Sequence, residues 1–555
     1  MGFTQTYKDF KRVQQITNVL FNQELGYFIE KLNLKSHLPF SKRIQITKFS
    51  KPKDTVPQRL RKSMEELGGS FVKLGQLLSL RADLVPKEYI EEFTRLQDNV
   101  KPFPYELVKQ TIESELKKPL NKIFSSFEKT PIASASIGQV HEAALKDGTK
   151  VAVKVQRPGI GQMFETDIDL MYHLARMLEK HVPEVKAFNP VGIVQEFDKY
   201  TTKEMDYLHE AKNIQQYREV VKSEKNVIVP EVYWDYTTQK VLTMQFIDGV
   251  KINSFKDYKN LTIKGDHLAN TLVKLFVKGV LYYQFFHADP HPGNILLTKD
   301  KKIALLDFGI AGRVTPELTE KIGKLYLGLV DADANVISDG LINIGVIPLS
   351  VNKEEFRSDL IDAWSKYYDT SLNQINMSGF FWDSMRLGRK YSMKFPPEYI
   401  LLMKSMITTE GVIKKLNPEF NFVKTSKPII DSYVKERTST KNILKGAKKT
   451  LIDFKDLMTR FPTDAQKMLD RIQSDEQMKI DLDIDEDIKK FTLEMDRSAK
   501  RLTLGVLLSA LVLASSMMIL AKIPPFFWGL PLYSVIGLAI SCILLLKLVM
   551  LSFKK

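Results

Sequence analysis

Residues 287–296 read HADPHPGNIL, and this decapeptide narrows the fold more than any other stretch of the chain. Pro290 and Pro292 each fix φ and remove a backbone donor, so the segment is a rigid loop rather than a helix or a ladder strand. It carries Asp289 and, with four residues intervening, Asn294. The loop runs into NILLT (294–298), and KIALLDFG (302–309) follows; these read as two short strands around a turn. The second strand delivers Asp307, eighteen positions after Asp289, to a turn that Gly309 permits. A carboxylate held there is a hard oxygen ligand of the kind Mg²⁺ accepts. Upstream, KVAVKVQ (150–156) puts Val151, Val153 and Val155 on one strand face, and Lys150, Ala152, Lys154 and Gln156 on the other. Lys154 is then placed to reach a phosphate lying over the sheet. Taken alone it fits a solvated strand lysine better, and Asp289, Asn294 and Asp307 each have an alternative as loop caps. In order, however, Lys, Asp-x₄-Asn and DFG are the layout of phosphoryl transfer. His287 and His291 could pass for metal ligands, but on so tight a loop they read as hydrogen-bonded scaffold.

At 555 residues the chain exceeds a single core, and its 44% apolar content can fill several. Residues 1–57 are polar and basic and read as a peripheral extension. From Gln58 to Leu80 the positions Leu60, Met64, Leu67, Phe71, Leu74 and Leu78 recur at three- and four-residue steps, which predicts one amphipathic helix within a helical region 58–127. Short β-prone runs (IGQVHEAAL, KVAVKVQ, KVLTMQFI) alternate with helices over 128–250, and 251–437 is mostly helical. Residues 438–500 are charged with helical periodicity and read as a connector. The fold class expected is α+β.

The formal net charge of +15 points to anionic partners. Basic residues are dispersed rather than gathered beside aromatic stacking platforms, so nucleic acid is not expected. The single cysteine, Cys542, excludes a disulfide framework and a cysteine metal site, in keeping with a reducing compartment. The opening MGFTQTYKDF has no apolar run of signal-peptide length; its MGxxxT pattern is a short match of the kind chance supplies. In segment 501–555, Leu502 to Ala521 and Phe526 to Leu546 contain no charge and are separated by KIPP. Each has about the twenty residues a bilayer-crossing helix needs. Arg497, Lys500 and Arg501 before, and Lys547, Lys554 and Lys555 after, outnumber Lys522 at the turn. The expectation is a transmembrane helical hairpin with both ends, and the body, in the cytoplasm: a multi-pass cell-membrane protein. The alternative is a buried apolar hairpin in a soluble domain. The small-residue pairs Ala510/Ala514 and Gly537/Ser541 would suit packing of the two helices or a homodimer.

Five motifs in order carry a resemblance. KLGQ (73–76), SASIGQVH (134–141), EMDYLHEAKN (204–213), HADPHPGN (287–294) and DFG (307–309) resemble the UbiB/AarF family of atypical kinases associated with ubiquinone biosynthesis, over about residues 60 to 555. The resemblance implies a two-lobed protein-kinase-like fold, with an N-lobe over 128–250, a C-lobe over 251–437 and a helical KxGQ extension lying over the active site. It implies that Lys154 holds nucleotide phosphates and is positioned by Glu210, that Asp289 orients the attacking hydroxyl or water, and that Asn294 and Asp307 bind Mg²⁺. Ala133, Ser134, Ala135 and Ser136 stand where ordinary kinases have a glycine-rich loop, so the nucleotide, ATP or ADP, is expected to sit differently. Lys73 and Gln76 share a helix face, and in the family the KxGQ lysine lies near the ExD carboxylates, here Glu204 and Asp206. A cleft covered in this way would disfavour protein substrates. The expected function is a membrane-anchored kinase or ATPase supporting isoprenoid-quinone biosynthesis, with anionic lipid, quinone precursors and quinone-biosynthesis enzymes as partners. The alternatives are a kinase for a protein or small hydroxylated substrate, or a non-catalytic nucleotide-binding scaffold.

Overall fold

The computed structural model describes residues 3–437 and 508–553, apart from 33, 40–41, 43–53, 80, 82–84, 97–100, 183–188, 253–264, 332, 346–347, 349–350, 369–376, 522–523 and 528–529. The chain divides into two compact units, Met1–Ile443 and Leu444–Lys555. The connector expected over 438–500 lies outside the described residues.

In the first unit, strands β1 (Phe124–Phe127), β2 (Ala133–Ser134), β3 (Gly138–Leu145), β4 (Lys150–Gln156) and β6 (Val241–Gln245) form an antiparallel sheet of order β1-β3-β4-β6, with β2 paired to β3. The alternation of KVAVKVQ decides its two faces. Val151, Val153 and Val155 are fully buried against Val108 and Ile112 of the helix Tyr105–Leu116. Each such valine contributes about 2 kcal/mol of apolar burial. The opposite face carries Ala152 and Lys154 toward the helix Tyr207–Val221. A second sheet, β5-β10-β9-β7, is built from Val227–Ile228, Ile303–Leu305, Ile295–Thr298 and Gly249–Lys251; strands β8 (Phe285–His287) and β11 (Ala311–Arg313) pair beside it. Helices Gly265–Leu281, Pro397–Leu416 and Phe422–Arg437 pack around this part.

Two expectations about the N-terminal half need correction. The stretch 58–80 is two helices, Val56–Leu67 and Gly69–Leu78, broken at Gly68, which adopts the left-handed φ of 66° that a glycine tolerates. The extension 1–57 is not peripheral: Ile16, Val19, Leu20, Phe21 and Ile29 are buried in the main core. Arg12 forms a bidentate pair with Asp167, Nε to Oδ1 at 2.7 Å and Nη2 to Oδ2 at 2.9 Å, and its Nη2 also donates to the Leu67 carbonyl. Ser70 Oγ donates to the same carboxylate, so the N-terminal helix, the helix Gly69–Leu78 and the helix Ile160–His181 meet at one buried acid.

The transmembrane hairpin is not supported: among the described residues no helix is long and apolar enough to cross a membrane. The first apolar run is helical over 508–520, its residues 502–507 lying outside the described ones, and the second enters the helix Leu532–Phe553. Within this unit the added Cβ of an alanine at Gly537 would collide with Ser515, so a small residue is what lets the two segments approach there. Leu513, Met517, Leu520, Tyr533, Ile536, Ile540 and Ile543 are exposed.

Removing Arg12 leaves the Asp167 carboxylate buried beside a single hydroxyl donor. Arg12→Ala is therefore expected to cost about 2–3 kcal/mol and lower the melting temperature by several degrees. Lys324→Ala, which breaks the exposed pair with Glu320, is expected to leave the melting temperature unchanged.

Candidate active site

Two ladders bring the two motif loops together. The loop 288–294 leaves β8 and enters β9, and 306–310 leaves β10 and enters β11. Because His287 pairs with Ala311 and Ile295 pairs with Leu305, both ends of one loop are tied to both ends of the other. Leu306 N–H donates to the Asn294 carbonyl at 2.8 Å, and His287 Nε2–H donates to the Leu306 carbonyl at 3.1 Å. Asp289, Asn294 and Asp307 are thus confined to one patch of the cleft.

Lys154 points from β4 into this cleft and meets Glu210, its Nζ 3.0 and 2.8 Å from the two carboxylate oxygens. Asp307 Oδ2 lies 3.8 Å from the same ammonium. Burial works against the charged lysine, but Asp307 and Glu210 outweigh it and hold its pKa above the ordinary lysine value. Reciprocally Lys154, against burial, holds the Asp307 carboxyl below the ordinary aspartate range, helped by the Gly309 N–H at 3.2 Å from Oδ1. Asp307 has φ of 56°, a left-handed backbone unusual outside glycine. Its side chain, half-exposed, is turned to the cleft while Phe308 beside it is wholly buried against Tyr217 and His287. Tyr207 lies beneath Lys154, ring centroid 5.2 Å from Nζ. Gly138 makes room for it: a Cβ there would stand 2.5 Å from the Val155 carbonyl oxygen and collide with the Tyr207 hydroxyl.

On the first loop His287 Nδ1 accepts the Asp289 N–H at 3.2 Å while Nε2 donates, which sets a neutral tautomer; burial lowers its pKa. His291 Nδ1 accepts the Gly293 N–H at 3.2 Å. Both histidines serve the loop's own backbone. Asn294 Nδ2 donates to the Asp289 carbonyl at 3.2 Å, leaving its amide oxygen as the side chain's acceptor.

The KLGQ helix Gly69–Leu78 lies along the helix Pro190–Glu204. Lys73 Nζ is 2.5 Å from Glu204 Oε1, and Arg81 pairs with Glu196. Lys73 lies on the helix and Arg81 beyond its end, so the two pairs tie this segment to Pro190–Glu204 at two points. Asp206 is not the second partner that the ExD motif suggested; its Oδ1 accepts the Leu208 N–H at 3.0 Å and caps the helix Tyr207–Val221. Gln76 donates to the Leu96 carbonyl at 3.3 Å. Of the expected nucleotide-loop residues, Ala133 and Ser134 form β2; Ala133 and Ala135 are exposed, Ser136 is buried, and the Ala135 N–H donates to the Gly138 carbonyl.

Several groups here carry no motif. Asn213 Nδ2 donates to the Phe308 carbonyl at 2.9 Å, joining the glutamate helix to DFG. Ser405 Oγ donates to the His287 carbonyl at 2.7 Å, and Lys404 Nζ lies 3.3 Å from Asp289 Oδ1. The asparagine could have been sought one helical turn after Glu210. Lys404 has no local sequence signal at all.

Among the described residues eight buried side-chain polar atoms lack protein partners; two of them, Glu204 Oε2 and Ser134 Oγ, belong to the expected ligand-binding set, and a third, the Tyr207 hydroxyl, is on the ring beneath Lys154. Such orphans are costly unless something else satisfies them. Among the described residues no three His, Cys, Asp or Glu side chains converge as a self-sufficient metal site. Sparse oxygen donors such as Asp307, Asn294 and Glu204, to be completed by phosphate oxygens and water, are what Mg²⁺ takes, in contrast to the all-protein cages of other metals. The residues fit a Mg-nucleotide.

Comparison with known proteins places the chain in a family. Residues 95–340 match the ABC1 atypical kinase-like domain, 361–421 the UbiB helical domain and 486–554 the ABC1/UbiB kinase-like C-terminal domain. A protein of Marinobacter nauticus named probable protein kinase UbiB is 34% identical over 72% of this chain and 74% of its own length. A protein of Pseudomonas paraeruginosa with the same name is 32% identical over 70% of this chain and 74% of its own. A solved structure titled the complex of Rv3197 with erythromycin from Mycobacterium tuberculosis covers 66% of this chain and 93% of its own at 24% identity, with a TM-score of 0.46, too loose to bear on the fold. With relatives above 30% identical over more than two thirds of both chains and three family domains matched in order, the chain belongs to the ABC1/UbiB family of atypical kinase-like enzymes.

Proposed function

We propose that the cleft binds Mg-nucleotide and that phosphoryl transfer from ATP, to water or to a small acceptor, supports isoprenoid-quinone biosynthesis at a membrane. The observation that carries this is the confinement of Lys154–Glu210, Asp289, Asn294 and Asp307 to one cleft, with Glu204 Oε2 buried and unpartnered at its side. Lys154 holds the α- and β-phosphates as a point charge, and Glu210 keeps it from collapsing onto Asp307. Asp289 orients the attacking oxygen and takes its proton. Asn294, Asp307 and Glu204 would hold Mg²⁺, which supplies neutralisation of the charge on the phosphate oxygens. Ser134, in place of a glycine, offers a hydroxyl to a phosphate that backbone amides would otherwise serve.

The KLGQ element biases the acceptor. Stapled by Lys73–Glu204 and Arg81–Glu196, it occupies the side of the cleft along which a polypeptide substrate would extend. Water or a small hydroxylated molecule needs no such groove. The exposed apolar residues of the C-terminal unit would supply a surface for a lipid bilayer, and the Lys and Arg that flank these runs in the sequence would each add about 1 kcal/mol at an anionic leaflet. Coupling of ATP hydrolysis to handling of a lipid-like quinone precursor follows from joining these two properties in one chain. The names of its relatives, probable protein kinase UbiB, accord with the kinase part.

Purified protein is expected to release phosphate from ATP in a Mg²⁺-dependent manner, faster with anionic liposomes and a quinone-precursor mimic. Asp307→Asn is expected to lower that rate by at least about a hundredfold while melting like the parent protein. Nucleotide binding without turnover under every condition would favour the scaffold role instead. A second expectation concerns pH. The folded-state pKa of Lys154 is raised above 10.5, so its charge is fully present below that value and is lost only as the pH rises through the higher folded pKa. The difference in ATP affinity between the parent and Lys154→Met should therefore stay constant up to about pH 10, where an ordinary lysine has begun to neutralise. Calorimetry across that range checks it.

A further inference from the structure

The loop that carries Asp289 contains no cation between that residue and Asn294: the intervening positions are Pro290, His291, Pro292 and Gly293. His291 is engaged with the Gly293 N–H. On the nucleotide side of the cleft the charge of Lys154 is shared with Glu210 and Asp307, and Lys73 pairs with Glu204. A phosphoryl group in flight carries negative charge on three equatorial oxygens, and fixed positive charge is needed at the acceptor end as well as at the leaving-group end. The structure places such a charge there. Lys404 Nζ lies 3.3 Å from Asp289 Oδ1, with both side chains partly open to solvent, 22% and 35%, rather than sealed away. An exposed pair of this kind adds little to folding, so its position against the candidate catalytic carboxylate is its informative property.

The helix that carries Lys404 is anchored to the loop it serves. Pro397–Leu416 buries Ile400, Met403 and Met406, and its Ser405 hydroxyl donates to the carbonyl of His287, two residues before Asp289. Thr408 Oγ1 donates to the Lys404 carbonyl at 2.9 Å, and Thr409 Oγ1 to that of Ser405 at 2.7 Å. The ammonium is therefore held by a rigid element of the helical domain and not by the loop itself.

We propose that Lys404 is a catalytic residue that contacts the transferring γ-phosphoryl group and, through its pair with Asp289, keeps that carboxylate turned toward the acceptor. This rests on the phosphoryl-transfer function proposed above. In the step itself the bond from the γ-phosphorus to the bridging oxygen breaks, with its electron pair leaving on ADP. A new phosphorus–oxygen bond forms to water or a hydroxyl, whose proton passes to Asp289. Lys404 stays protonated throughout.

The test is calorimetric affinity for Mg-ATP and Mg-ADP, together with single-turnover phosphate release, on the parent, Lys404→Ala and Lys404→Arg, with melting temperatures as a folding control. Lys404→Ala should weaken ATP binding about tenfold, leave ADP binding unchanged, and slow release from saturated enzyme about a hundredfold; Lys404→Arg should recover most of both losses. An unchanged ATP-to-ADP affinity ratio in Lys404→Ala overturns the role, whether both affinities persist or both fall together as a structural effect would make them. If the parent binds ATP but does not hydrolyse it, the affinity ratio still decides. If the parent binds neither nucleotide, phosphoryl transfer itself fails as the function, and the role of Lys404 falls with it.

Discussion

Holding a charged lysine on the covered face of a β-sheet is the constraint around which this molecule is arranged. Taking Lys154 and Glu210 out of water costs several kcal/mol per ion, and only close mutual contact with additional partners offsets it. The helix Tyr207–Val221 supplies nearly all of them. Asp206 starts it with a side-chain cap, which puts Glu210 in the first turn beneath Lys154. Tyr207 lies under the ammonium, and Asn213 and Tyr217, three and seven residues after Glu210, meet the backbone and the ring of Phe308. One face of one helix therefore orders both the lysine of the upper sheet and the aspartate of the lower one.

Local pattern made part of this legible before any coordinates. The alternation of KVAVKVQ placed Lys154 on the face opposite three valines, and the strand–turn–strand reading of 294–309 matches β9 and β10. Short-range rules suffice there because a strand has a fixed period and a proline loop has few conformations. Contacts between distant segments were legible only where a family motif marked both partners, as for Lys154–Glu210 and Lys73–Glu204. Nothing near Asp289 announces Lys404, and nothing near Asp167 announces Arg12, because each pair is made by packing of helices that sequence periodicity places only relative to themselves. The break at Gly68 was missed for a related reason: the apolar spacing continues in phase across it. For the C-terminal runs, counting uncharged residues predicted a hairpin that is not supported, since among the described residues no helix is both long and apolar enough to cross a membrane.

The KLGQ segment, paired to the ExD helix through Lys73 and Arg81, gives the cleft a wall whose attachment is electrostatic. Lys73–Glu204 is partly buried at the cleft, while the Arg81–Glu196 pair lies nearer solvent. Both pairs are partly buried, so salt screens the more open Arg81–Glu196 pair only somewhat more than Lys73–Glu204. Glu204 is pulled two ways, with one oxygen engaged by Lys73 and the other unpartnered. A cation binding the second oxygen would weaken the hold on the first, so occupancy of the cleft and attachment of the wall are linked through one carboxylate.

The paired ladders that clamp 288–294 against 306–310 also restrict how the gene for such a chain can vary. With His287 locked to Ala311 and Ile295 locked to Leu305, neither segment has slack. A side-chain substitution inside them alters one contact, but a single inserted or deleted residue shifts the registration of an entire ladder and swings Asp289 or Asp307 away from the other. Length in these two stretches is thus under tighter constraint than composition, whereas a surface turn elsewhere can absorb an extra residue at a cost that rises only slowly with its length.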